Sequence, residues 1–473
     1  MKPITAEVCV LGDGPAGSSA AARLALLGHN VVLIGDGAPR RRPLPESISP
    51  GIHPLLDALD LSHALNTFAT ECAPPDVRWE ASEPPPLDQP ASTPSAPSGH
   101  LVDRSKLDAC LLQSARQAGV QVIATRSGAP DPRVAGGWRI PLPMHPRQEV
   151  HAGFLIVATG RKPLLSRKRQ RIMPPLLALY SRWKLPHSAR PRIAVEALPD
   201  GWVWRAELAD GICCAAAFMD PLLRSRCGQK SIESNYLAFL SEATIFNGHL
   251  SAPRIDKVSA CDASALLANE VIGPDWMLVG DSAVALEPIS SQGIQIALKL
   301  GLQAAVVAHT LLSDPSSAPI AETFYREQCR GIAARHRKAT TEFYATPERF
   351  QREPFWTVRA SHKTNPPPPS TPTAPIDPAT PLRLSSEATL REIPCLIGDR
   401  IRLQPALHHP NLDAPVSHLG NVAVAALLSG IVQPQSSDDL CRLWTQTGLT
   451  ERPLPLLHWF LKNGILTPTD APA

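Results

Sequence analysis

Long hydrophobic runs are missing from this 473-residue sequence, and so is a strong excess of charge of either sign. No stretch of roughly 18 uncharged apolar residues occurs, so no transmembrane helix is expected. Charged residues make up only 19% of the chain, and the net charge is +3. So small an excess gives no reason to expect nucleic acid or a membrane surface as a partner.

The ten cysteines lack the spacing of a metal site or of a disulfide framework. None forms a C-x-x-C pair, and Cys213 and Cys214 are adjacent, which favours neither zinc nor disulfides. The first seven residues do not resemble a signal peptide, because an acid follows a single basic residue. The expectation is therefore reduced thiols, no metal and a cytoplasmic location.

Proline, by contrast, is abundant, at 51 residues. Two proline-rich blocks, 83–99 and 365–381, lack apolar periodicity and are typical of extended segments. The second block predicts an interdomain linker at 364–381, followed by a small domain at 382–473. The first block is predicted to be a surface insertion in a larger domain.

A glycine-rich turn follows the first predicted strand. Residues 7–12 lead into GDGPAG, a G-x-G-x-x-G motif beginning at Gly12, and an alanine-rich helix and a second strand at 30–34 follow. In this βαβ context the motif is typical of dinucleotide binding. Gly12 permits the tight turn, Gly14 lets the backbone approach a pyrophosphate, and Gly17 lets helix and strand pack closely. The helix N-terminus then offers N–H groups to the phosphates.

The acid that usually ends the second strand of this fold, where it binds ribose hydroxyls, is displaced. Its expected position holds Gly35, and Asp36 comes one residue later. Asp36 either binds the ribose through a shifted loop or is an ordinary turn residue, and both interpretations stay open.

Three further segments are informative because of the order in which they occur. Glu46 and Ser47 lie after the second strand, and Arg104 lies near the start of a predicted helix. A later strand ends in Gly280 and Asp281, before a loop and a long helix. Each alone has an ordinary explanation as a capping turn, a solvated helix residue or a strand-end turn. Their joint order is what indicates a function.

Together with the glycine motif, these segments resemble the FAD-binding signatures of aromatic hydroxylases and flavin-dependent halogenases, over roughly residues 5–360. The resemblance implies an α/β fold with a Rossmann-like FAD-binding domain at 1–171 and 255–363. It also implies an inserted mixed β-sheet substrate domain at 172–254 and a small C-terminal winged-helix-like domain. The implied activity is that of an FAD-dependent monooxygenase, with O2 and with NAD(P)H or an external flavin reductase as co-substrates.

The same resemblance implies roles for particular residues. Asp281 is expected at a ribityl hydroxyl, where a carboxylate accepts hydrogen bonds, and Arg104 near the phosphates. The loop at 288–294 is expected at the isoalloxazine edge, where helix N–H groups stabilise negative charge on reduced flavin. No catalytic acid or base is assigned, and His100 is either a pocket residue or a structural one. The expected cofactor-binding residues are Gly12, Gly14, Ala16, Gly17, Asp36, Glu46, Ser47, Arg104, Gly280, Asp281, Pro288, Ser291, Gln292, Gly293 and Ile294.

A narrower resemblance is to the flavoproteins that mature tryptophylquinone cofactors. Those enzymes act on a tryptophan inside a partner polypeptide, so the implied reaction is hydroxylation of that indole during quinone-cofactor biogenesis. A protein or peptide substrate is therefore suspected. The segments that carry this resemblance are 46–50, 100–108, 201–204, 288–293 and 354–356.

Flavin-dependent halogenases are the nearest alternative. They need a lysine between the dinucleotide fold and the arginine helix, and none occurs here between Lys2 and Lys106. Their W-x-W-x-I-P box is also broken, since residues 202–207 are WVWRAE. A hydroxylase or halogenase of a free small aromatic is one alternative function. A flavin-bound regulatory or scaffold protein without turnover is another.

The segment 385–468 has the helix-then-strand rhythm of a small winged-helix domain, which alone would suggest DNA binding. It contains six Arg or Lys residues and seven acids, whereas a DNA-binding face is basic. Docking of a peptide agrees better with this balance and with a protein substrate.

Overall fold

The computed structural model describes most of the chain in two compact units. The first unit comprises Met1–Pro315 and Tyr325–Lys363, and the second comprises Ser316–Phe324 and Thr364–Ala473. The first proline-rich block and residues 365–378 of the second lie outside the described residues. The described residues are 2–36, 45–48, 50–79, 100–133, 136–165, 168–186, 191–208, 210–222, 231–361 and 379–469.

The elements that precede residue 362 alternate between strands and helices before they end in a helical run. The strands are β1 (Ile4–Leu11), β2 (Val31–Gly35), β3 (Pro45–Ile48), β4 (Ala69–Glu71), β5 (Asp76–Arg78), β6 (His100–Asp103), β7 (Gln121–Ala124), β8 (Asp131–Pro132), β9 (Trp138–Pro141), β10 (Glu149–Val157), β11 (Arg169–Arg171), β12 (Leu177–Lys184), β13 (Arg192–Leu198), β14 (Gly201–Glu207), β15 (Ile212–Met219), β16 (Ser259–Asp262), β17 (Leu266–Ala268), β18 (Trp276–Leu278) and β19 (Val284–Ala285). The helices are α1 (Pro15–Leu26), α2 (His53–Asp57), α3 (Leu65–Phe68), α4 (Arg104–Gln117), α5 (Ile232–Ser241), α6 (Gly293–Ser313), α7 (Ala318–Tyr344) and α8 (Pro354–Ala360).

A seven-stranded sheet forms the centre of the first unit, in the order β7-β2-β1-β10-β9-β8, with β18 also paired to β10. The strands β7, β2, β1, β10 and β18 run parallel to one another. The apolar runs of β1 (8–11) and β2 (31–34) are almost fully buried, which is typical of a parallel sheet covered on both faces. The carboxyl ends of these five strands therefore meet at one edge, where ligands bind in such folds.

Two helices, α1 and α6, pack closely together beside this sheet. A side chain at Gly301 of α6 would collide with the Ala16 carbonyl and the Ser19 hydroxyl of α1, so the backbones approach as only glycine permits. By length and composition alone, α6 is apolar enough to cross a membrane, and 56% of its apolar window is buried inside the protein. Its packing on α1 accounts for that apolar composition in a core helix.

A second sheet of six strands, in the order β16-β12-β15-β14-β13-β5, has two different faces. Because successive residues of a strand point to opposite sides, Val203 and Ala215 pack with Tyr236 of α5 on one face. Trp202 and Phe218 pack on the other face. This second face is the one that borders the cavity described below.

The second unit contains a small core around Leu382, Trp444 and Phe460, all 0% exposed. A long two-stranded hairpin, formed by Thr389–Ile397 and Arg400–His408, was not foreseen from the sequence. The elements of this unit after residue 378 are β20 (Pro381–Leu384), β21 (Thr389–Ile397), β22 (Arg400–His408), β23 (His418–Leu419), β24 (Val422–Ala423), α9 (Val424–Ser429), β25 (Gln435–Ser436), α10 (Ser437–Gln446), α11 (Pro453–Lys462) and β26 (Leu466–Pro468).

Candidate functional site

A large cavity of about 1700 Å³ opens at the carboxyl edge of the parallel sheet. It has two parts, which we name by their walls. The glycine-turn end is formed by residues that follow β1, β2 and β7, and it includes Gly12, Asp13 and Arg126. The sheet end is formed by the inner face of the six-stranded sheet and includes Trp202 and Phe218.

The glycine turn places backbone rather than side chains at the cavity. Gly12 has φ +105°, and a Cβ there would collide with the carbonyl of Ala158, so only glycine fits. A Cβ at Gly14 would meet nothing within 4 Å. Helix α1 begins after Gly14 with no side-chain cap, so its first N–H groups are available to an anion.

Strand β2 ends at Gly35. The place that a side chain at this position would occupy is filled by Asp13. A Cβ at Gly35 would overlap the Cβ and Cγ of Asp13. Asp36, the next residue, lines the cavity and accepts a hydrogen bond from Arg126 Nε at 3.2 Å. Both partners of this ion pair are largely exposed.

Glu46 and Arg104 form an ion pair in the cavity wall, in which Arg104 is buried and Glu46 is partly exposed. Strand β3 pairs with β6, which sets Glu46 opposite Val102 and beside the first turn of α4. Arg104 Nη1 donates to Glu46 Oε1 at 2.8 Å, and its Nε donates to Asp108 Oδ1 at 2.9 Å. Burial alone would lower the pKa of Arg104, but the two carboxylates raise it above its ordinary value. The guanidinium therefore stays charged at the edge of the cavity.

Asp281 lines the cavity from the end of β18, close to the glycine turn. Gly280 before it has φ +62°, and a Cβ there would lie 2.7 Å from the Ala16 Cβ of α1. Arg161 Nε lies 3.7 Å from Asp281 Oδ2. Arg169 donates to the backbone carbonyl of the same Asp281. These two arginines were missed from the sequence, because nothing in their spacing links them to Asp281.

The loop before α6 also borders the cavity. Pro288, Ser291, Gly293 and Ile294 line it, and Ser291 has φ +50°, a left-handed conformation. Gln292 is exposed and lies outside the lining. A Cβ at Gly293 would meet nothing within 4 Å, so the start of α6 faces open space.

At the sheet end the wall is aromatic. Trp202 and Phe218 stack with ring centroids 3.8 Å apart and an interplanar angle of 15°. Because the neighbouring residues on the same face are small, Ala178 and Ala216 leave a flat floor beside the rings. The arrangement suits a planar apolar ring.

One carboxyl group is buried at this end, and no pattern in the sequence pointed to it. Glu287 is 1% exposed, lines the cavity and accepts a hydrogen bond from the Tyr344 hydroxyl. Trp202 Nε1 in turn donates to that hydroxyl at 3.1 Å. The second carboxylate oxygen of Glu287, Oε2, has no hydrogen-bond partner among the described residues. Burial raises the pKa of Glu287 to about 7, although Tyr344 and the charges of Arg359 and Arg161 oppose the shift.

His336 lies behind this carboxyl and is neutral at ordinary pH. Its Nε2 accepts a hydrogen bond from the backbone N–H of Glu287 at 3.1 Å. Burial, together with the charge of Arg161, lowers the pKa of His336 to about 4. Glu287 is therefore the group in this cluster whose charge can change near neutral pH.

The cavity brings most of the expected cofactor residues together, although their roles stay predictions. Gly17 and Gly280 lie outside the lining, and a Cβ at Gly17 would collide with the Gly12 carbonyl. His100 is also outside it and lies edge-on to His53. No lysine is found among the described lining residues. The expected residues that do line the cavity are Gly12, Gly14, Ala16, Asp36, Glu46, Ser47, Arg104, Asp281, Pro288, Ser291, Gly293 and Ile294.

These features fit a bound FAD. The uncapped start of α1 and the open space above Gly14 suit a pyrophosphate. Pockets for small ligands measure roughly 300–1,000 Å³, so a cavity of about 1700 Å³ has room for a dinucleotide with a substrate ring beside it.

Comparisons with known proteins agree with this geometry. The family model described as tryptophan halogenase matches residues 77–372. The tryptophan 2-halogenase of Chondromyces crocatus is 26% identical over 377 residues, which cover 76% of this chain and 71% of that protein.

Two solved structures resemble the whole chain. The peptidyl tryptophan dihydroxylase QhpG, essential for tryptophylquinone cofactor biogenesis, matches with a TM-score of 0.74 and 26% identity. The match covers 97% of this chain and 99% of QhpG. The flavin-dependent halogenase CmlS matches with a TM-score of 0.75 over 100% of this chain and 97% of its own, at 18% identity, a likeness of fold alone. Together the comparisons confirm the predicted superfamily and the predicted α/β fold class.

Proposed function

The chain belongs to the tryptophan halogenase family, and we propose that it hydroxylates a tryptophan side chain in a partner polypeptide during quinone-cofactor biogenesis. Family membership makes it an FAD-dependent oxidoreductase that modifies aromatic rings. The proposal adds the substrate, the oxygen transfer in place of halogen transfer, a cytoplasmic location, and O2 with NAD(P)H or a flavin reductase as co-substrates.

The observation that carries the proposal is the composition of the sheet end. A halogenase of this family needs a lysine to handle hypohalous acid, and the described lining contains none. Instead, the carboxyl of Glu287 is linked to Trp202 through the hydroxyl of Tyr344. The likeness to QhpG over 97% of the chain supports the same choice, since that protein is a peptidyl tryptophan dihydroxylase.

The residues at the sheet end have definable tasks in such a reaction. FAD, when bound and reduced, would supply the activation of dioxygen. Trp202 and Phe218 exclude water and hold a planar ring against the floor of Ala178 and Ala216. With a pKa of about 7, Glu287 can take up at Oε2 a proton that an aromatic carbon loses when it gains oxygen.

We further propose that residues 382–473 form a domain that docks the polypeptide. The sequence of this region has no marked excess of basic residues, which favours a peptide over DNA as its ligand.

The test is mass spectrometry of candidate substrates. The purified protein, loaded with FAD and supplied with air, chloride, NADH and a flavin reductase, is incubated with small polypeptides encoded beside its gene and with free tryptophan. We expect the mass of one or two oxygen atoms on a polypeptide tryptophan. A chain ending at residue 381 is the matched comparison, and it should lose modification of the polypeptide.

Two results would contradict the proposal. A halogen on either substrate would favour halogenation, and oxygen on free tryptophan with an untouched polypeptide would favour the small-aromatic hydroxylase. The alternative of a hydroxylase or halogenase of a free small aromatic is supported, on its halogenase side, by the 26% identity to the Chondromyces crocatus tryptophan 2-halogenase.

A further inference from the structure

We propose that Asp13, within the glycine turn, is the carboxylate that holds the ribose of the adenosine half of FAD, and that Gly35 makes room for it. The inference rests on the FAD binding proposed above. It replaces the expectation that Asp36 has this task.

Strand β2 does not end in the acidic residue that is usual at this position of a dinucleotide-binding fold. In dinucleotide-binding folds an acidic side chain near the end of the second strand accepts hydrogen bonds from ribose hydroxyls. Here that strand ends at Gly35, which has no side chain. The Gly12 N–H donates to the carbonyl of Ile34 at 2.8 Å. The glycine turn therefore lies directly beside the strand end, and Asp13 follows Gly12.

The side chain of Asp13 fills the place that an acid at position 35 would need. A Cβ built on Gly35 would overlap the Cβ and Cγ of Asp13 and would lie 2.5 Å from its Oδ2. Asp13 also lines the cavity. A carboxylate is thus present at the end of β2 after all, but it is contributed by the neighbouring turn. Any side chain at Gly35 would displace it.

Asp36 is less suited to the task. Successive residues of an extended chain point to opposite sides, so a residue one position later cannot simply replace one at 35. Its carboxylate accepts from Arg126 Nε at 3.2 Å, and the two side chains are 54% and 83% exposed. A carboxylate held in a solvated ion pair gains less from a further hydrogen bond than the half-buried carboxylate of Asp13 does.

The consequence concerns selectivity between flavins. The ribose that Asp13 would hold belongs to the adenosine of FAD, which FMN lacks. The charge-assisted hydrogen bonds of Asp13 therefore strengthen FAD binding and leave FMN binding unchanged.

The first test is Asp13→Asn, which removes the charge but keeps the shape of the side chain. We expect the Kd for FAD, measured by quenching of protein fluorescence, to rise about tenfold. The Kd for FMN should stay the same. Asp131→Asn is the matched control, since it removes a carboxylate from an exposed edge strand outside the cavity.

The second test moves the acid back to the strand. Asp13→Gly alone should weaken FAD binding. Gly35→Glu alone should do so too, because the introduced side chain would clash with Asp13. The double variant with Asp13→Gly and Gly35→Glu should recover most of the FAD affinity lost in Asp13→Gly. Unfolding of each apoprotein shows whether the variants are folded.

Three outcomes would overturn the inference. The ratio of the FAD and FMN affinities could be unchanged in Asp13→Asn, Asp36→Asn could reduce FAD affinity more than Asp13→Asn does, or the double variant could fold without recovering affinity. A wild-type protein that binds no flavin at all would overturn the proposed function as well. Failure of the inference alone leaves wild-type FAD binding intact.

Discussion

At the glycine-turn end of the cavity the wall is backbone and charge, whereas at the sheet end it is stacked rings with one buried carboxyl. The centre of the first end is a run of neighbours in sequence, Gly12 to Gly14. The second is assembled from residues far apart, because Trp202, Glu287 and Tyr344 meet only through folding. The glycine-turn end is therefore visible in the sequence as a motif, whereas the sheet end is not. Three experiments test this contrast.

The largest effect is expected at the sheet end, from Trp202→Ala. The ring is 2% exposed, stacks on Phe218 and donates to Tyr344. Its removal should lower the free energy of unfolding by about 3–5 kcal/mol, measured with denaturant on the apoprotein. Trp204→Ala, at a half-buried ring on the same strand, should cost less than half as much. Equal losses of unfolding free energy in the two variants would show that the stacked ring of Trp202 stabilises the protein no more than the half-buried ring of Trp204 does.

Glu287→Gln should change how stability depends on pH. The pKa of Glu287 is about 7 in the folded protein, above the ordinary value of 4.5, so the group favours folding below pH 4.5. That contribution to the free energy of unfolding is lost as pH rises through about 7. The difference between the two pKa values of Glu287 corresponds to about 3 kcal/mol. Gln keeps the hydrogen bond from Tyr344 but cannot ionise. The unfolding free energy of the wild type, relative to the variant, should fall between pH 4.5 and about 8. Parallel pH profiles would contradict this.

A smaller effect is expected at the glycine-turn end, from Gly14→Ala. The added Cβ meets no protein atom within 4 Å and Gly14 has φ −73°, so the apoprotein should unfold at an unchanged temperature. The same Cβ stands where the pyrophosphate would approach. FAD binding should therefore weaken by roughly ten- to a hundredfold, the usual scale of overpacking. Gly153→Ala, whose Cβ would make an ordinary contact on β10 away from the cavity, is the control. Unweakened FAD binding in Gly14→Ala would place the pyrophosphate elsewhere.

Local patterns predicted much of the fold. The apolar runs and the glycine turn predicted β1, α1 and β2, because these elements are adjacent in sequence and their burial is continuous. Strand-like runs at 193–197, 202–208 and 212–218 predict three strands, and these correspond to β13, β14 and β15. The amphipathic pattern at 52–61 predicts a helix over that range, but α2 ends at Asp57.

What the sequence could not predict depends on contacts between distant segments. Strand β5 (Asp76–Arg78) joins the six-stranded sheet beside β13, more than a hundred residues later. Glu287 looks like a loop residue until α7 brings Tyr344 and His336 around it. The sequence shows that position 35 holds glycine where an acid is expected and that Asp36 follows it. Only the structure shows that the side chain of Asp13 lies beside Gly35.

The register of β14 ties the folding of the six-stranded sheet to the shape of its pocket. Trp202 and Trp204 line the cavity, while Val203 between them packs on the side of α5. A slip of one residue would turn both indoles toward the helix and leave a valine facing the cavity. Conversely, an exchange at position 204 changes the cavity wall while the layer under α5 stays as it is. Alternate residues of one strand thereby belong to the cavity wall and to the packing under α5.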